Sequence, residues 1–115
     1  MDILIEELDT QLCPFELDVF WCAIAGWGPI ETLTKLKGRV SQVHLKDLKV
    51  DTPKIYDEGQ VPEEAFVELG DGTIDLAKVI ETSKAIGVEQ CHVEQDQSPD
   101  PIASVAKSLK HFAKL

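Results

Sequence analysis

The chain holds 115 residues, 43% of them hydrophobic, with 11 Lys and Arg against 21 Asp and Glu for a formal net charge of −10. That length supports one domain, residues 1–115, with a real core, and is too short for two. The charge argues against nucleic acid and anionic membrane surfaces as partners, since both call for a basic face, and no apolar run approaches the ~20 residues of a spanning helix. The start "MDILIEEL" lacks the basic residues and cleavage site of a secretory signal. Cys13, Cys22 and Cys91 are odd in number and show no CxxC spacing. Together these features predict a cytoplasmic protein with reduced, mostly buried thiols.

Residues 2–8 read as a helix with Asp2 as cap and Ile3, Leu4 and Leu8 on one side. "FELDVFW" (15–21) is an aromatic and β-branched run, hence a first strand. "GPIETLTKLKG" (28–38) is a helix with Pro29 in its first turn and Gly38 as its stop. "VSQVHLKD" (40–47) is the second strand, and the proline-rich, charged segment 49–64 is a long loop. In "FVELGDGTIDLAKVIETSKAIG", Asp75 caps a helix that buries Leu76, Val79, Ile80 and Ile86. The "ELGDGTID" before it reads as a tight turn whose two glycines are also able to present amide N–H groups to an anion. "QCHVEQD" (90–96) is the third strand. The last helix starts at Asp100 and Pro101 and turns Ile102, Val105, Leu109 and Phe112 inward. Strand–helix alternation of this kind predicts an α/β fold with a parallel sheet covered by helices.

Side chains alternate faces along a strand, so the three strands can be compared by parity. Leu17 and Val19, Val43 and Leu45, and Cys91 and Val93 form an apolar face for helices to cover. The opposite face carries Asp18, His44 and Glu94, each toward the C-terminal end of its strand, where parallel α/β folds bind ligands. One imidazole and two carboxylates form a candidate site for a divalent metal, and suit Mn²⁺, Mg²⁺, Co²⁺ or Fe²⁺ better than a structural Zn²⁺.

The stretches "ELDVFW", "AGWGPIETL", "GRVSQVHLKDLK", "FVELGDGTIDLAKVI" and "GVEQCHVEQDQS" resemble, in family order, the xylose-isomerase-like TIM-barrel superfamily in its sugar phosphate isomerase/epimerase branch. The resemblance implies the last three strands of a (β/α)₈ TIM barrel, incomplete in this chain, since such barrels take about 250 residues. It implies that Asp18, His44 and Glu94 are metal ligands, with Mn, Mg, Co, Fe or Zn as the cofactor, and that Glu94 is catalytic. The first metal glutamate of the family has no counterpart here. Trp21 stands where sugar epimerases of the superfamily often carry a substrate-touching histidine. Trp21, Lys46, Asp47 and Glu68 are the candidate substrate contacts, and Trp27 in the "AGWG" turn would sit at the site mouth.

The implied function is a metal-dependent sugar or sugar phosphate isomerase or epimerase, with proton transfer beside a carbonyl. A dehydratase acting on a keto-inositol through the same site and an inert barrel fragment are the alternatives. A three-stranded piece leaves two strand edges open, which predicts a homodimer or higher homo-oligomer that covers them.

Overall fold

The three apolar–polar runs form a parallel sheet in the order β1–β2–β5. Here β1 is Phe15–Asp18, β2 Val40–Leu45 and β5 Gln90–Val93, in a computed structural model that describes residues 2–115. The register places Asp18 beside His44 and His44 beside His92. The Glu94 amide donates to the Leu45 carbonyl at 3.1 Å, so pairing runs one residue past β5. Leu17, Val43 and Leu45 point to one face and are buried there with Val19, Leu33, Leu36, Leu69, Leu76, Val79 and Ile80. That core is roofed by α3 (Pro29–Lys35) and α4 (Leu76–Ala85), which pack on each other. α1 (Asp2–Glu7) is tied on by the Arg39 guanidinium, which donates to the carbonyls of Ile5 and Leu8. The parallel α/β architecture expected from the sequence is present.

The first strand is shorter than the run 15–21 suggests. It stops at Asp18, and α2 (Val19–Ile24) starts at once. The reason is local: Asp18 Oδ1 accepts from the amides of Phe20 (2.9 Å) and Trp21 (3.0 Å), a helix cap that turns β-prone residues into a helical turn. Phe20 therefore does not share the polar face of the sheet. It is buried in a second cluster with Ile24, Leu48, Ala65 and Phe66, stacked on Phe66 at 4.2 Å between ring centroids.

The loop 49–64 is bracketed by a feature not anticipated from the sequence, a two-stranded antiparallel ribbon of β3 (Asp47–Leu48) and β4 (Phe66–Val67). The last helix also departs from expectation. In α5 (Pro101–Phe112), Val105 and Phe112 are half-buried, but Ile102 is 83% and Leu109 49% exposed. Cys91, expected under the helices, is exposed on the edge strand β5, and all three cysteines are free thiols. The inward face of α5 is instead centred on Ser104 and Ser108, which are buried, so the expectation holds only for Val105 and Phe112. No helix among the described residues is long and apolar enough to cross a membrane.

Asp47, expected to touch substrate, is instead 1% exposed and holds the "ELGDGTID" turn together. Its Oδ1 accepts from the amides of Leu48 (2.9 Å) and Ile74 (3.0 Å), and its Oδ2 from those of Gly70 and Gly72 (both 3.0 Å). Gly70 sits at φ +92°, and a Cβ on Gly72 would run into the Asp47 carboxylate, so both glycines are required by the turn. Tight turn and amide nest thus coexist, with the protein's own aspartate as the anion. Loss of the acceptor strands buried N–H groups. Asp47→Ala and Asp47→Asn should each lower the unfolding free energy by about 3 kcal/mol in urea titrations, far more than loss of a solvent-facing ligand contact.

Candidate metal centre

Three strand ends converge at the C-terminal rim of the sheet. β1 delivers Asp18, β2 delivers His44, and the residue after β5 is Glu94. One ligand atom from each lies within 4.8 Å of the others. Asp18 divides its carboxylate between two tasks. Oδ1 caps α2, which leaves Oδ2 facing His44 Nδ1 at 3.9 Å. His44 Nδ1 lies 2.9 Å from Glu94 Oε2, and on the ring's other side Nε2 lies 3.2 Å from Glu16 Oε1. That arrangement suits a metal ligand. An Nε2–H donated to Glu16 fixes the tautomer and leaves the Nδ1 lone pair aimed between the two carboxylates.

Lys46 lies inside this group. It is 4% exposed, and its ammonium is 2.8 Å from Asp18 Oδ2, 2.9 Å from Glu94 Oε2 and 2.8 Å from Asp96 Oδ2. Burial opposes its charge, but the hydrogen bonds it donates to Asp18, Asp96 and Glu94 outweigh that and push its pKa above the ordinary lysine value. Partial burial pushes the Glu94 carboxyl up in turn, yet Lys46 and His44 beside it hold it below the ordinary glutamate range. Asp18, Glu94 and Asp96 thus share a single resident ammonium, while Glu16 faces the His44 ring. The carboxylate excess, together with one imidazole nitrogen, fits a divalent cation of the oxygen-preferring kind.

The other expected contacts separate into two groups. Trp21 stands edge-on to Phe20 and Phe66 and lines a cavity of about 370 Å³ with Glu16, Asp18, Cys22 and Trp27, directly beside the cluster. Glu68 is not in the cluster: it pairs with Lys107 at 3.1 Å and lines a different hollow with Phe66, Gln95 and Gln97. Asp47 is consumed by the turn. Asp96 and Glu16 were not singled out from the sequence, although the signal was available. Asp96 shares strand parity with Glu94, and Glu16 with Asp18.

The charges in the cluster set its pH response. The Glu94 pKa is lowered on folding, so its contribution to stability is complete above the ordinary value of 4.5 and is lost as pH falls through the lowered folded value. The Lys46 pKa is raised, so its contribution is complete below 10.5 and is lost as pH rises through the raised value. Thermal melts of the wild type and of Glu94→Gln should therefore differ by a constant amount through the neutral range. The two should converge as pH falls from 4.5 through the lowered folded value of Glu94.

Comparison with known proteins places this geometry in context. No family model matches the chain. An inosose dehydratase of Geobacillus thermodenitrificans is 31% identical over 106 residues, which cover 86% of this chain and 36% of that protein. An inosose dehydratase of Clostridium tetani is 31% identical over 122 residues, covering 97% and 41%. The chain therefore spans only about two fifths or less of the curated relatives it matches. Among solved structures, a sugar phosphate isomerase/epimerase from Parabacteroides distasonis superposes with a TM-score of 0.78 at 18% identity, over 99% of this chain and 34% of that one. IolI protein with a bound zinc atom superposes with a TM-score of 0.67 at 23% identity, over 88% and 36%. By fold, the chain resembles about a third of each of these structures, as parallel βα units that make up part of a TIM barrel.

Proposed function

We propose that the chain contributes Asp18, His44 and Glu94 to a divalent-cation site for proton transfer beside a carbonyl of a small sugar or sugar phosphate. The observation that carries this reading is the convergence of the three ligand atoms within 4.8 Å at the strand ends. A bound cation would draw electron density from the substrate carbonyl and its neighbouring hydroxyl and so acidify the intervening C–H. Glu94 is held ionised by Lys46 and His44 and is able to take that proton. Trp21 and Trp27 wall the cavity next to Asp18 and offer aromatic faces to the C–H side of a sugar ring.

The curated relatives favour a second reading, dehydration of a keto-inositol. It begins with the same proton removal and ends with loss of the hydroxyl on the adjacent carbon as water. Because the chain spans at most 41% of the curated relatives it matches here, the whole reaction also draws on parts of a barrel beyond these residues. The strand edges have to be covered, and a second copy suits them. β1 and β5 are the outer strands of the sheet. Acidic α1, with exposed Ile3 and Leu4, complements the C-terminal end of the chain, where α5 carries Lys110 with exposed Ile102 and Leu109 and Lys114 follows it.

Metal-stripped protein should take up Mn²⁺, and His44→Ala should bind it at least tenfold more weakly, roughly the cost of one lost ligand. Equal, negligible uptake by both would leave only an inert barrel piece. Incubation in D₂O with a ketose and with a keto-inositol then separates the chemistries. Deuterium at the α carbon marks isomerisation or epimerisation, and release of an unsaturated ketone marks dehydration. Light scattering after gel filtration should show an oligomer. A stable monomer at tens of micromolar rules out pairing through the edges.

A further inference from the structure

The same oxygens that would hold a divalent cation already hold an ammonium. Lys46 Nζ bonds Asp18 Oδ2 at 2.8 Å and Glu94 Oε2 at 2.9 Å, and these two oxygens also face His44 Nδ1 at 3.9 and 2.9 Å. Asp18 has no spare oxygen to offer instead, because Oδ1 is committed to the amides of Phe20 and Trp21. A cation entering between Asp18, His44 and Glu94 meets Lys46 in direct contention for Asp18 Oδ2 and Glu94 Oε2. Asp96 Oδ2, 2.8 Å from the same ammonium and outside the three-residue ligand set, is the acceptor that remains.

We infer that Lys46 is a built-in competitor for the metal, and that Asp96 is the seat to which it withdraws when the metal binds. This rests on the divalent-cation reading of the site. In the metal-free protein Lys46 neutralises part of the carboxylate repulsion and keeps the three strand ends together. On metal entry the ammonium gives up Asp18 and Glu94 and keeps Asp96. The exchange keeps a buried lysine paired at every stage, which matters because an unpaired buried charge is costly. It also sets metal affinity below what the ligands alone would give, since each uptake breaks two charge-assisted hydrogen bonds.

The test is Mn²⁺ affinity, read from the free-ion electron paramagnetic resonance signal of metal-stripped protein at neutral pH. Lys46→Met removes the competitor and its repulsion of the dication, and should tighten binding by about tenfold or more. Lys46→Gln keeps the length of the stem and a hydrogen-bond donor without the charge. It should tighten binding in the same direction and serves where the methionine variant folds poorly. Asp96→Asn removes the alternative seat, leaves Lys46 on the ligands, and should weaken binding several-fold. Wild type that binds Mn²⁺ while both lysine variants bind equally or more weakly overturns the competition and leaves the metal reading intact. Failure of wild type, Lys46→Met and Lys46→Gln alike to bind overturns both.

Discussion

Everything at the rim of the sheet depends on how the Asp18 carboxylate is divided. One oxygen ends β1 by capping α2, and the other faces His44 and Lys46. The cap is not incidental to the site. It fixes the side-chain rotamer, so the second oxygen reaches the cluster without further side-chain freedom to lose. It also turns the chain away at residue 19, which brings Phe20 under the ribbon and Trp21 to the cavity wall. A substitution at Asp18 would thus disturb a helix, a hydrophobic cluster and a ligand set together.

The site is built with an excess of negative charge, and the fold compensates for it locally. Lys46 is buried among the carboxylates, while Glu16 steadies the far side of the His44 ring. Placing four carboxylates near one another costs free energy that a globular domain would normally avoid. Strain of that kind at the ligand-binding end of a parallel sheet is a sign of function rather than of packing.

Much of this was legible in the sequence, because it follows from periodicity. Strand parity alone puts Asp18, His44 and Glu94 on one face, and the structure brings them together. The resemblance to xylose-isomerase-like barrels agreed with the fold found. What escaped was set by local hydrogen bonding and by missing neighbours. "FELDVFW" is strand-like in composition, but a single side-chain cap overrides that propensity after residue 18. Asp47 follows a strand-end lysine and looks like a ligand contact, yet three of the four amides it serves come from residues 23 to 27 positions later, which no local pattern reveals. Ile102 and Leu109 were expected inward and face solvent, because α5 packs through Ser104 and Ser108, small residues that a hydrophobic stripe passes over.

The glycine turn that closes on Asp47 also bears on what the protein can distinguish. Converging amide groups before a helix are a common way to grip a phosphate. Here the gripped anion is tethered to the same chain, and a tethered group competes at an effective concentration on the order of millimolar or more. A phosphate in solution would have to displace it and leave a buried carboxylate without partners. The turn is therefore closed to phosphate: its amides are satisfied from within the fold and serve the fold alone.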